Sequence, residues 1–128
     1  MTTHAIDVGF VSGDRGLVDF LAEVFGFEEL APLEFPQGTV HRLQGTTGVV
    51  KVMVPAQPPA APPAVEQFHA VSGLRYLTLR VDDLTDVVER ATTRGGRVTI
   101  GPIELRPGVH LVVLTDPDGN ALEVVQED

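Results

Sequence analysis

The chain has 128 residues, nine Lys and Arg against eighteen Asp and Glu, a formal net charge of −9 and no cysteine. That acidity leaves no basic face for nucleic acid or an anionic membrane surface. The missing thiols exclude disulfides, zinc ribbons, iron–sulfur clusters and a Cys nucleophile. No run approaches the roughly 20 apolar residues of a bilayer span. Residues 1–10 lack the basic and apolar regions of a signal sequence, so a cytoplasmic protein is expected.

Ile6, Val8 and Phe10 alternate with Asp7 and Gly9, which predicts a strand over 6–11. Ser12-Gly13-Asp14-Arg15-Gly16 reads as a turn and helix cap, short of the glycine pattern of a nucleotide-binding loop. Leu17, Val18, Phe20, Leu21, Val24 and Phe25 form one stripe of a helix that Gly26 stops. Three strands follow over 27–33, 39–43 and 49–54, separated by Pro36-Gln37-Gly38 and Gly45-Thr46-Thr47-Gly48. Residues 55–64 then hold five of the ten prolines and read as an extended connector.

The same order returns beyond it. Residues 76–81 predict a strand, and Asp83 caps a helix whose apolar face is Leu84, Val87, Val88 and Ala91. Gly95-Gly96 ends that helix, and strands follow over 97–100, 109–115 and 121–125. Pro102 and Pro107-Gly108 punctuate them, and Asp116-Pro117-Asp118-Gly119-Asn120 is a strong hairpin signal. The chain is a tandem of two β-α-β-β-β units, neither of which can bury its sheet alone.

Tandem units of this order, ending in Asp116-Pro117-Asp118-Gly119-Asn120-Ala121-Leu122-Glu123, resemble the vicinal oxygen chelate superfamily. That group includes glyoxalase I, bleomycin-resistance proteins and extradiol dioxygenases. The resemblance implies an α+β fold whose two units pair into a curved, cup-shaped mixed sheet with helices outside. It implies a unit over 1–54, a proline-rich linker over 55–73 and a unit over 74–128, one compact domain overall.

Metal-dependent members of that superfamily draw ligands from equivalent inward positions on the first and last strand of each unit. Those positions here are Asp7, Lys51, Tyr76 and Glu123. Glu123 and Asp7 suit a divalent ion, Tyr76 is a poor ligand for most, and a Lys51 ammonium has no lone pair. The expectation is that Lys51 sits between Asp7 and Glu123 in the metal's place, because an ammonium in a closed cup needs such partners. No cofactor is then required. The alternative is Zn, Fe or Mn held by Glu123, His41, His110 and Asp7, since both histidines precede the hairpins leading to Lys51 and Glu123. His4 and His69 are read as solvated.

On this reading the protein binds a small planar or amphipathic molecule. Its cup is lined by Phe10, Phe35, Leu43, Met53, Tyr76, Leu79 and Leu114, and Lys51, His41, His110 and Glu123 orient the ligand. The alternatives are a lyase, isomerase or dioxygenase with Glu123 as catalytic base or metal ligand, and a subunit with a vestigial pocket. A homodimer is expected, because exposed sheet edges in such proteins are buried by a second copy.

Overall fold

The computed structural model describes residues 1–63 and 67–128. The expected connector 55–73 thus includes residues 64–66, which lie outside the described set. Two compact units are present, Met1–Ala61 and Pro62–Asp128. No helix among the described residues is long and apolar enough to cross a membrane.

The first unit runs β1 (Val8–Val11), α1 (Gly16–Phe25), β2 (Glu28–Glu29), β3 (Leu33–Phe35), β4 (Gly38–Gln44) and β5 (Val49–Pro55). Its sheet has the order β1-β5-β4-β2, with β3 also on β4. β1 is parallel to β5, and the other pairs are antiparallel. The single strand expected over 27–33 is two short strands instead. Pro32 has no N–H to donate to a ladder, and the chain crosses β4 there by other bonds. Leu30 N donates to Arg42 O (2.8 Å), and the Arg42 guanidinium donates to Ala31 O (2.8 Å). α1 buries Leu17, Val18, Phe20, Leu21 and Val24, the stripe read from the sequence. Gly26, at φ 72°, ends it, its N–H donating to Ala22 O. Where β4 begins, Gly38 has φ 149°, and a Cβ there would lie 2.3 Å from Val54 O. Only glycine fits so close to β5.

The second unit runs β6 (Tyr76–Arg80), α2 (Leu84–Thr93), β7 (Arg97–Arg106), β8 (Val109–Thr115) and β9 (Ala121–Glu127), preceded by a 3-10 turn at Phe68–Ala70. Sheet order is β6-β9-β8-β7, with β6 parallel to β9. Asp83 caps α2 as expected, accepting from Asp86 N at 3.0 Å. The helix closes one residue before the glycine pair, at Arg94. β7 does not stop at residue 100. It continues through Pro102 as an outer strand, with register shifts that absorb the missing donor.

Both units therefore join one α-helix to a mixed sheet, in the tandem order that the periodicity predicts and the α+β class that the resemblance implies. The β8–β9 hairpin is the best-fixed turn. Asp116 Oδ1 accepts from Asp118 N and Asn120 N, both at 2.9 Å, and Oδ2 accepts from Asn120 Nδ2 at 2.8 Å. These bonds set the register that carries Glu123.

Candidate functional site

Alternation along paired strands decides which side chains share a face. In the first unit, Val8 and Phe10 lie beside Val50 and Val52, which in turn oppose Leu43 and His41. Leu43 and Val52 are fully buried. Glu29, opposite Leu43, is gripped by Arg15 at the start of α1 through bonds of 2.9 and 2.7 Å. This is the helix-covered face. The other face carries Lys51 and Met53 of β5, Val40 and Arg42 of β4 and, one residue before β1, Asp7. Lys51 Nζ lies 3.5 Å from Asp7 Oδ2, with both side chains a little over half buried.

In the second unit, Leu77 and Leu79 lie beside Leu122 and Val124, which oppose Leu114 and Val112. Gln126, two residues on from Val124 and on the same face, accepts from Leu84 N at the start of α2 (2.7 Å). That is again the helix-covered face. The opposite face holds Tyr76, Thr78 and Glu123 beside an apolar cluster of Val109, Leu111, Val113, Ala121 and Val125. Thr78 Oγ1 donates to Glu123 Oε1 at 3.0 Å. Among the described residues of its own unit, none donates a hydrogen bond to Glu123 Oε2. Phe68 packs against the cluster, its ring 5.3 Å from that of Tyr76 at 63°.

The registers coincide. Lys51 stands between Gly9 and Arg42, and Glu123 between Thr78 and Val113. Asp7 is therefore the counterpart of Tyr76, and Lys51 that of Glu123.

Several expected site residues lie elsewhere. Phe10, Leu43, Leu79 and Leu114 belong to the helix-covered faces, and Leu43 and Leu114 are wholly buried there. Met53, Phe35 and Tyr76 lie on the open faces. His41 and His110 are also on the helix-covered faces, on the other side of the sheet from Lys51 and Glu123 respectively. Nor are the two histidines counterparts: with Arg42 matching Val113, His41 matches Val112, and His110 falls two positions away. His41 Nδ1 is buried without a hydrogen bond, 3.8 Å from Glu29 Oε1. His110 Nε2 lies 3.6 Å from Asp128 Oδ2. Of the alternative metal set, Asp7 lies on the other face of its sheet from His41, and Glu123 on the other face of its sheet from His110. A hydrophobic alternation reveals two faces but not which one the helix covers. Phe68 escaped the sequence reading. Its signal was slight: an isolated large apolar side chain in an otherwise small and polar stretch.

The positions where metal-dependent relatives hold an ion suit one poorly here. A protonated Lys51 donates and cannot ligate, its Asp7 neighbour faces that ammonium, and the Glu123 counterpart is met by a hydroxyl. Within neither unit do three or more His, Asp or Glu side chains among the described residues gather at metal-holding distance.

Two carboxylates outside this face have shifted acidities. The Arg15 hydrogen bonds hold Glu29 below the ordinary carboxylate range and raise the guanidinium in turn. Burial pushes Asp116 up, against the opposing pull of its bonds from Asn120 and Asp118.

Residues 10–124 match the Glyoxalase/Bleomycin resistance protein/Dioxygenase superfamily. Among solved structures, the chain is similar to TnmS3, described as an antibiotic binding protein, from Streptomyces sp. CB03234. The two are 26% identical over 99% of this chain and 98% of that one, with a TM-score of 0.69. It is also similar to TioX from Micromonospora sp. ML1 (20% identity, 99% and 100% covered, TM-score 0.67). A third likeness is to a glyoxalase/bleomycin resistance protein/dioxygenase family enzyme from Burkholderia phytofirmans PsJN (20%, 95% and 97%, 0.71). No curated protein matches. With a match that spans nearly its whole length and a fold shared with these structures, the chain belongs to the Glyoxalase/Bleomycin resistance protein/Dioxygenase superfamily.

Proposed function

We propose that this protein is a bleomycin-resistance-like binder of a small planar or amphipathic molecule, held on the open sheet faces without a catalytic metal. The observation that carries this reading is the Lys51–Asp7 ion pair on the open face of one unit, together with the Thr78–Glu123 bond at the matching register position of the other. An ammonium and a hydroxyl take up carboxylates that a metal would otherwise need. The apolar cluster around Glu123 supplies area for a flat ligand, and the unbonded Glu123 oxygen supplies one directed acceptor. The likeness to an antibiotic binding protein supports the same class of ligand.

The protein acts as a cytoplasmic homodimer on this reading. Ile100, Ile103 and Leu105 on the outer strand β7 and Leu33 and Phe35 on β3 are exposed apolar side chains that a second copy would cover.

The test is a panel of planar natural products screened by thermal shift. A ligand at a hundred times its Kd adds about 2.7 kcal/mol of apparent stability. Glu123→Gln should weaken the best hit about tenfold while leaving the unliganded Tm within a few degrees. A panel without any shift, at protein concentrations that exceed the dimer Kd, overturns the proposal.

A second reading rests on that same free oxygen. Glu123 lies half-buried on an apolar face with Oε2 unclaimed in its unit, the setting of a general base for a lyase or isomerase. Turnover of 2-oxoaldehyde–thiol adducts, epimerisable thioesters or catechols, abolished in Glu123→Gln, would replace the first reading by this one.

A further inference from the structure

We propose that Phe68 is a built-in occupant of the open face of the second unit, a ring that an incoming ligand must displace. The inference rests on the binding reading above and adds a gate to it. Three observations carry it.

The first is position. Phe68 packs on the apolar cluster that flanks Glu123, which is the surface offered to a flat ligand, and it meets Tyr76 edge-on at 5.3 Å. The ring thus already makes the contacts that a planar guest would make.

The second is how little else among the described residues holds the segment. From Gln67 to Tyr76 every residue except Phe68 is exposed. The 3-10 turn has one backbone hydrogen bond of its own, Ala70 N to Gln67 O, and no side-chain cap. Arg75 reaches back only to Ser72 O, within the same segment. A stretch tied down by one ring belongs to the low-stability end of a structure, where local opening is cheap. A gap of a few kcal/mol to such an open state leaves it at about 0.1–10% of molecules.

The third is an asymmetry of partner. His69 meets the Phe68 ring edge-on (5.4 Å, 86°) and is itself exposed. The aromatic pair can swing out together without uncovering a buried polar group. Nothing in the turn needs replacing when the ring leaves except the contact with the cluster, which the ligand supplies.

An occupant of this kind taxes every ligand by the fraction of molecules in which the ring is out. It therefore selects for guests whose own flat area exceeds that of a benzyl group, and it keeps the cluster from water in their absence.

The experiment uses the full chain and the dye 8-anilinonaphthalene-1-sulfonate. Tyr76 is the one tyrosine and there is no tryptophan, so tyrosine emission comes from this side chain alone. Phe68→Ala should make Tyr76 more accessible to acrylamide and tighten dye binding at least about tenfold, the population tax being lifted. Phe68→Leu, which retains apolar bulk and guards against a folding failure, should fall between. The cysteine-free chain also allows a nitroxide at Ala70→Cys, whose spectrum should sharpen when dye binds to the protein with Phe68 intact. Easier quenching with unchanged or weaker dye binding would show that the ring is a contact and not an occupant, and would overturn the proposal. Unchanged quenching, or a nitroxide indifferent to dye, would overturn it too. Failure of the natural-product panel with these results positive would sink the binding reading and leave the gate standing.

Discussion

The open faces of the two units share a backbone and differ in chemistry. Lys51 and Glu123 hold one register position, yet one is a cation paired to Asp7 and the other an anion met by Thr78. Arg42 faces Lys51 where Val113 faces Glu123. The first face is charged and half-wet, and the second is an apolar field around one acceptor. A duplicated scaffold thus fixes where side chains point and leaves free what they are. The helix-covered faces behave in the opposite way: Leu43 and Leu114, also counterparts, are both leucine and both wholly buried.

The largest expected effect tests that likeness. Leu43→Ala and Leu114→Ala should each cost about 2–5 kcal/mol in denaturant unfolding, through lost burial and the cavity left behind. A difference much above 1 kcal/mol between them would break the equivalence of the two cores.

Next comes a turn that only the second unit has. Asp116→Ala should cost about 2 kcal/mol, since three donors lose their acceptor. The β4–β5 turn closes instead on one backbone bond, Gly45 N to Gly48 O, and has no such residue to lose. Asp116 also carries a pH signature. Burial raises its pKa above the unfolded value, so the folded state binds the proton more tightly. Its contribution is full below the unfolded pKa of about 3.9 and is lost as pH rises through the folded one. The Tm of the wild type relative to Asp116→Asn should therefore climb as pH falls from 6 to 3.

The smallest effect is at the clamp that only the first unit has. Arg15→Ala should cost about 0.5 kcal/mol, because the pair with Glu29 is substantially exposed. Here the sign reverses. Glu29 is held low in the folded state, so its contribution is present above the unfolded value and fades as pH falls. Tm differences between wild type and variant at pH 7 and pH 3 check it.

These contrasts also show what was legible before any coordinates. Element order was, because period 3.6 for Leu17 to Phe25 and the Asp116–Asn120 turn are local signals. Facing was not. Leu43, Leu114, Phe10 and Leu79 alternate as a cup lining would, and only the seating of Arg15 on Glu29 and of Leu84 on Gln126 says which side the helices take. The extent of β7 was hidden because Pro102 breaks inner strands but is tolerated on an outer one. Phe68 was hidden because one ring in a loop has no period at all.

One feature of the topology reaches beyond the folded state. β1 and β6 each have a single neighbour in their sheet, and it is the last strand of the same unit. Thr78 meets Glu123 across 45 residues. At a synthesis rate of about 5–20 residues per second, the leading strand of the second unit emerges roughly 2–9 s before its mate exists. Through that interval a nascent polypeptide presents an unmated ribbon.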